Sequence, residues 1–147
     1  MSMNSPIRRL EDSLPIQLLA THDLVMNSFR PTLKKHNLTD QKWRILRFIA
    51  QNEMPEFHAV AKACLLKRAS LSRTLVSLEN SGWVKRGTNG KDKRQVYLQL
   101  SKEGQTFHDQ VALDFSAVFD ALERQMGEEA TKLLAALKET QRMLGSE

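Results

Sequence analysis

The sequence predicts a mainly α-helical chain with one two-stranded β-hairpin. Apolar residues recur at spacings of three and four over most of the chain, which is typical of helices that bury one face. The spacing changes to two only between about residues 84 and 100, on either side of an Asn89-Gly90 turn signal. With 147 residues, of which 41% are hydrophobic and 27% charged, the chain suits a single globular domain.

The first predicted helix covers residues 14–37, where an inward stripe recurs every three or four residues. This stripe consists of Leu19, His22, Met26, Arg30 and Leu33. Asn37 is a stop signal for the helix. Thr39 is the expected N-cap of a second helix, which extends to about Gln51.

The third and fourth predicted helices are short and lie on either side of a basic connection. The third begins at Pro55. Its buried stripe consists of Phe57, Val60, Ala61 and Cys64. In the fourth helix, Leu71, Leu75 and Leu78 recur at i, i+4 and i+7, so they point inward together. Gly82 ends this helix. The side chains that must then point outward are small, polar or basic: Ser70, Arg73, Thr74 and Ser77.

Two strands and two long helices complete the chain. The first strand runs from Val84 to about Thr88. In the second, three apolar residues alternate with polar ones: Val96, Leu98 and Leu100. Ser101 caps a helix whose apolar stripe continues to Met126, and a last helix follows over about residues 128–144.

The sequence indicates neither a membrane protein nor a secreted one. The longest apolar run, Leu133 to Leu137, is far shorter than the roughly 20 residues that a membrane-spanning helix needs. Arg8 and Arg9 are followed by acidic residues rather than by the apolar stretch of a signal peptide. We therefore expect a cytoplasmic protein without a membrane partner.

Metal sites, cofactors and catalysis are not expected either. Cys64 is the only cysteine, and its place on a buried stripe favours core packing over redox sensing. The four histidines never occur at the i, i+4 spacing of a helical metal pair. Catalytic Ser/His/Asp, paired-carboxylate and Gly-rich phosphate motifs are absent in recognisable context, so an enzyme is not predicted.

The positive charge is concentrated in one part of the chain. Residues 62–102 contain ten basic and two acidic side chains, whereas residues 103–147 contain four basic and nine acidic ones. A segment with a net charge of +8 beside an acidic segment favours a polyanionic partner, above all nucleic acid. A solvated basic face without a partner is the alternative.

Two short helices followed by a hairpin with a basic tip are typical of a winged helix-turn-helix. The second of these helices must enter a DNA major groove about 12 Å wide, which favours small donors and arginine on its exposed face. The hairpin, or wing, reaches the adjacent minor groove, where negative potential attracts an inserted arginine such as Arg94. A serine-rich surface helix beside a solvated basic turn is the alternative. The candidate DNA contacts are Ser70, Ser72, Arg73, Thr74, Ser77, Lys91, Lys93 and Arg94.

Two motifs resemble the MarR family of transcription regulators: the run from Leu71 to Arg86, and the run from Asp92-Lys93-Arg94 to Leu100-Ser101-Lys102-Glu103-Gly104. That family has an Asp-x-Arg wing and a Leu-Ser/Thr-x-x-Gly helix start at this separation. The resemblance covers nearly the whole chain. The sequence departs from the family pattern at Trp83, where an aliphatic residue is usual, and at residues 65–68, which lack glycine.

The resemblance implies N- and C-terminal helical dimerisation arms at residues 14–37 and 101–147. Residues 38–100 form the winged helix-turn-helix DNA-binding lobe. The apolar stripe from Phe107 to Met126, with the leucines of the last helix, is more than a lobe of about 60 residues can cover. A homodimer is therefore expected.

The runs Phe29-Arg30-Pro31 and Lys35 to Ile45 resemble one branch of this family. Members of that branch regulate homoprotocatechuate degradation and respond to phenolic or aryl carboxylic acids. The resemblance implies a repressor of an aromatic-acid catabolic operon, which binds double-stranded operator DNA and releases it on binding such an effector. The alternatives are a regulator of efflux or stress response with a broad phenolic or oxidant signal, and a structural chromatin protein that coats DNA.

Four residues are candidates for effector binding: Arg30, Trp43, Arg47 and His22. Arg30 falls on the inward stripe, so it either clamps a carboxylate or pairs with an acidic side chain across the dimer. Trp43 and Arg47 share one helix face and offer a ring and a further donor, although core packing explains Trp43 as well. His22 either donates to a phenol or belongs to the dimer interface.

Overall fold

The structure, a computed structural model, describes residues 7–145, except for the side chain of Asn89. It confirms the predicted mainly α fold with one antiparallel hairpin. No helix within residues 7–145 is both long and apolar enough to span a membrane. Its elements are a 3-10 turn at Leu10–Asp12, α1 (Leu14–Lys35), α2 (Asp40–Gln51), α3 (Phe57–Ala63), α4 (Arg68–Asn80), β1 (Val84–Asn89), β2 (Asp92–Leu100), α5 (Lys102–Met126) and α6 (Glu128–Leu144).

The chain divides into two compact units. We call Thr32–Phe115 the lobe, which is longer at both ends than the predicted DNA-binding lobe of residues 38–100, and we call the residues up to Pro31 together with those from Ser116 onward the terminal unit. The three leucines predicted to point inward from α4 are fully buried in the lobe. The fully buried side chains of the lobe core are Ile45, Leu46, Val60, Leu71, Leu75, Leu78, Leu98 and Val111.

Left-handed residues follow three of the helices, α1, α3 and α4. Asn37 (φ 52°) follows α1 and Gly82 (φ 75°) follows α4, both at the predicted stops. Leu65 adopts the same conformation (φ 55°) in the turn between α3 and α4, where helices commonly use glycine. Its side chain is 84% exposed, so burial does not offset the backbone strain.

The hairpin carries an irregularity at its turn. Val84 pairs with Leu100 and Thr88 with Val96, but Asn89 then faces Asp92. Residues 93–95 therefore form a bulge in β2.

Helix α5 begins in close contact with the backbone that follows α4. The Ser101 hydroxyl accepts the N–H of Gly104 at 2.9 Å and donates to the carbonyl of Gly82. A Cβ atom on Gly104 would lie 2.0 Å from the carbonyl oxygen of Trp83. The Ser-x-x-Gly pattern thus has a packing cause, because serine caps the helix and glycine lets it approach the preceding backbone.

The terminal unit exposes much of its apolar surface. No residue of α6 is buried in this chain. An apolar cleft of about 490 Å³ is lined mainly by side chains from α1 and α6. Its apolar lining residues are Leu14, Leu18, Val25, Leu133 and Leu137.

The inward stripe predicted for α1 is partly wrong. Leu19, His22 and Arg30 are exposed, whereas Phe29 and Leu33 are buried. The reason is geometric. The buried Phe29 and Leu33 lie about 40° apart around the helix, and Arg30 lies about 60° from Leu33 on the other side, outside that face.

Replacing Gly104 with alanine is expected to destabilise the protein by about 1–3 kcal/mol, because the new methyl group forces the backbone of Trp83 away from α5. The free energy of unfolding in urea measures this cost. Gly87→Ala is the matched control, since a Cβ there meets nothing within 4 Å. That control should change stability by about 0.5 kcal/mol or less. Equal effects at the two glycines would contradict the packing account.

Candidate nucleic-acid interface and effector site

The exposed face of α4 lines a groove of about 390 Å³ in the lobe. Four predicted DNA contacts meet there, because they recur at i, i+3, i+4 and i+7 on the helix: Ser70, Arg73, Thr74 and Ser77. The rest of the lining comes from the start of α2 and the residue before it: Thr39, Gln41 and Lys42.

The α4 side of the groove offers hydroxyl groups and one cation. Arg73 is exposed and forms no ion pair with any other residue in the described part of the chain. Thr74 Oγ1 donates to the Ser70 carbonyl at 2.8 Å, which holds this hydroxyl against its own helix. Ser72 lies about 200° around the helix from Ser70 and does not line the groove. Of the five predicted DNA contacts on α4, four thus line the groove and Ser72 lies outside it.

The other predicted DNA contacts surround the hairpin turn. Lys91, Lys93 and Arg94 are all exposed. Asp92 Oδ1 accepts the backbone N–H of Arg94 at 2.9 Å, a local bond of the kind that Asp makes in turns. This bond fixes the backbone of the bulge and leaves the Arg94 guanidinium exposed.

Sequence reasoning did not find Thr39, Gln41 and Lys42 as part of the groove. The sequence predicts Thr39 only as the N-cap of α2, a role that the structure confirms: its Oγ1 accepts the Lys42 N–H at 3.2 Å. No periodicity along the chain relates residue 42 to residue 73. Their common groove arises from the packing of α2 against α4.

Trp43 of α2 lies between two rings of α5. Its ring centroid is 5.3 Å from that of His108 and 4.6 Å from that of Phe115, with interplanar angles of 17° and 27°. Those two residues are two helical turns apart, about 10.5 Å, which leaves room for one ring between them. Trp43 is 5% exposed, and its Nε1 has no hydrogen-bond partner within the described part of the chain. A buried donor left unpaired costs about 1–3 kcal/mol, which an acceptor on a bound molecule would recover.

Two arginines of α2 follow Trp43. Arg44 Nη1 donates to the Cys64 carbonyl at 2.6 Å, and its Nε lies 3.2 Å from Asp40 Oδ2. Arg44 therefore has a structural role at the end of α3. Arg47, one turn after Trp43, is exposed. Of the ring and the cation predicted on one face of α2, the ring is buried and the cation is exposed.

The two effector candidates on α1 belong to the terminal unit. Arg30 is not buried within this chain: its side chain is 50% exposed and donates to Asp23 and Asn27 of its own helix. An acidic partner two turns away, Asp23, removes the desolvation cost on which the predicted carboxylate clamp depends. His22 is exposed and lines the apolar cleft.

Comparison with known proteins identifies the family. A sequence model described as the MarR family matches residues 36–95. The chain is 37% identical over 138 residues to the homoprotocatechuate degradative operon repressor of Escherichia coli, and the match covers 93% of each chain. The chain belongs to the MarR family of transcription regulators.

Two other similar proteins agree with this MarR membership. The transcriptional regulator FarR of Neisseria gonorrhoeae is 35% identical over 132 residues, which cover 90% of each chain. A solved structure of NadR in complex with 4-hydroxyphenylacetate is 33% identical and superposes with a TM-score of 0.78, over 92% of this chain and 96% of that one. The family and the winged fold predicted from the sequence are therefore confirmed.

Both departures from the MarR pattern have a structural account. Trp83 stacks on Phe107 of α5 with centroids 3.9 Å apart and 11° between the ring planes, so an aromatic pair replaces an aliphatic contact. In the turn without glycine, Leu65 supplies the left-handed residue.

Asp114 links the end of α1 to α5 within the lobe. It accepts hydrogen bonds from Lys35 Nζ at 2.8 Å and from His36 Nε2 at 2.7 Å. These bonds, that from Lys35 first, lower the pKa of the Asp114 carboxyl below its usual value. The carboxylate therefore stays ionised at neutral pH and holds the Lys35 ammonium group and the His36 ring against α5.

Cys64 is 2% exposed and packs in the core, as predicted. Burial raises the pKa of its thiol to about 11, so the thiol stays protonated at neutral pH. Within residues 7–145, no group of three His, Cys, Asp or Glu side chains is placed to hold a metal ion.

Proposed function

We propose that this MarR-family regulator represses a catabolic operon by binding operator DNA as a homodimer in the cytoplasm, and that a small aryl carboxylic acid releases it. The observation that carries the DNA-binding part is the α4 groove, where hydroxyl groups and Arg73 face outward from a positively charged lobe. An α-helix with such a face fits the major groove, where arginine pairs with guanine. Regulation by binding, rather than catalysis, is the proposed activity.

The wing supplies the second part of the DNA interface. Its exposed Lys91, Lys93 and Arg94 surround a turn whose only carboxylate, Asp92, is bonded to the backbone. A narrow minor groove attracts such cations. In the proposed complex α4 reads bases, and the wing adds affinity beside them.

The homodimer is supported by the exposed apolar surface of the terminal unit. Leu14 and Leu134 are more than half exposed, and Leu18 is 43% exposed. Surface of this kind on helices around an apolar cleft favours an interface with a second copy. Two copies present two α4 helices, which suits a pseudo-palindromic operator with half-sites about 34 Å apart.

The effector is proposed to bind at Trp43 and Arg47 of α2. A site for an aryl carboxylate needs a cation that binds the carboxylate, and a hydrogen-bond donor or an aromatic ring that contacts the aryl group. The exposed Arg47 and the unpaired indole N–H of Trp43 supply these one helical turn apart. The names of the relatives support this class of effector, since NadR was solved with 4-hydroxyphenylacetate and the Escherichia coli relative is named for homoprotocatechuate degradation.

Release of DNA is proposed to be a population shift. The effector weakens operator binding only as far as it binds a second conformation more tightly than the DNA-binding one. An oxidant signal is disfavoured, because the single cysteine is buried and its thiol has a raised pKa.

Arg73→Ala and Arg94→Ala are both expected to weaken operator binding, but in different ways. Loss of a guanine contact by Arg73 should cost about 1–3 kcal/mol and relax selectivity at one base pair. Loss of Arg94 should cost affinity on A/T-flanked sites with little change in base preference elsewhere. Affinity should also fall steeply with salt, as for a dimer that neutralises roughly 6–10 phosphates. Fluorescence anisotropy on duplexes selected by the wild type from a random library measures all three effects.

Ser72→Ala is the matched control for these variants, since Ser72 lies on α4 but outside the groove. Its operator affinity should equal that of the wild type. If both arginine variants also bind operator normally, or if the operator affinity does not change with salt concentration, the DNA-binding assignment is wrong.

Arg47→Ala and Trp43→Phe are expected to keep operator binding and to lose release by 4-hydroxyphenylacetate. Removing Arg47 eliminates the charge-assisted bond to the carboxylate, and phenylalanine keeps an aromatic face while removing the indole N–H. Titration of the acid against each protein–operator complex measures the response. Arg30→Ala is the companion variant, because an arginine paired with Asp23 on its own helix should be dispensable. A stable Arg30→Ala protein that no longer responds would assign the carboxylate to Arg30 instead.

A further inference from the structure

The α2 side of the groove has no role in the function described so far. Thr39, Gln41 and Lys42 line the same groove as Arg73 and the α4 hydroxyl groups. When α4 enters the major groove of a duplex and Arg73 meets the base edges, the duplex also comes next to Lys42.

The charges around Lys42 favour an anion. Lys42 is half-buried and forms no ion pair with another residue in the described part of the chain. The one carboxylate of the first turn of α2, Asp40, is paired with Arg44, with Oδ2 and Nε 3.2 Å apart. Lys42 is therefore a cation in the groove that no neighbouring acid neutralises.

We propose that Lys42, assisted by the side-chain amide of Gln41, binds a DNA backbone phosphate beside the base pairs that α4 reads. This inference rests on the proposed DNA-binding function. The ammonium group of lysine is a compact charge on a flexible stem, which suits a phosphate better than the planar edge of a base. The Gln41 amide can donate to a second phosphate oxygen.

This contact has a distinct task in recognition. A phosphate contact carries no sequence information, but it fixes the position and orientation of the protein on the duplex. Lys42 therefore sets the depth and register at which Arg73 meets the base edges. Its contribution is the same for every operator variant, whereas that of Arg73 changes with the base pair.

The test compares Lys42→Ala with Lys34→Ala on the selected operator. Lys34 is an exposed lysine of the lobe that does not line the groove, so it matches the change in net charge. Lys42→Ala is expected to weaken binding about tenfold or more per half-site. It should also reduce the magnitude of the negative slope of log K against log salt by about two for a dimer, because one phosphate contact is lost in each half-site. Lys34→Ala should change neither quantity appreciably. Lys42→Met keeps the apolar stem in place and should behave as Lys42→Ala, which separates loss of charge from loss of packing.

Replacing the operator phosphates one at a time identifies the phosphate that Lys42 binds. Single phosphates of the operator are replaced in turn by uncharged methylphosphonate, and affinity is measured for each duplex. One replacement per half-site should weaken the wild type by several-fold and leave Lys42→Met unaffected, because the interaction is already lost.

Three results would overturn the proposal. They are a Lys42→Met protein that binds as Lys34→Ala does, a loss of affinity that depends on base identity, and a methylphosphonate profile shared by the wild type and Lys42→Met. If Arg73→Ala still binds operator weakly, none of these three results contradicts the proposed DNA-binding function. Normal binding by Arg73→Ala, Arg94→Ala and Lys42→Met together would instead remove the DNA-binding assignment itself.

Discussion

The stacking of Trp43 between His108 and Phe115 is the contact on which the rest of the lobe depends. It fixes α2 against α5 by two near-parallel ring contacts, of 5.3 Å and 4.6 Å between centroids. Arg44 then ties the same helix to the end of α3 through the Cys64 carbonyl. A large aromatic ring buried in this way is worth several kcal/mol, a large share of the stability of a small domain.

Because α2 is held so firmly, it places three kinds of group at set positions. Its first turn lines the groove beside α4, its middle buries Trp43, and the next turn exposes Arg47. The groups proposed to bind DNA and the groups proposed to bind the effector are thus parts of one short helix. In the proposed mechanism, a ligand that changes the packing of Trp43 acts on the helix that also lines the groove, which is a physical route from effector to operator.

Local patterns predicted most of the fold, since capping and left-handed stops depend only on neighbouring residues. Ser101, Gly82 and Asn37 all act as their sequence context indicates. Arg30 is exposed in this chain although the sequence predicts it on an inward stripe, because it lies about 60° around α1 from the buried Leu33 and because the sequence does not show that Asp23 is its partner. The Lys42 side of the groove was not predicted at all, since only tertiary packing brings residues 42 and 73 together.

The central claim is that one protein conformation holds operator and another holds effector, and thermodynamic linkage tests it most directly. Isothermal titration gives the Kd of 4-hydroxyphenylacetate for the free protein and for the protein saturated with operator. The account predicts that operator weakens effector binding by the same factor by which the effector weakens operator binding. An effector Kd that is unchanged by operator would contradict it.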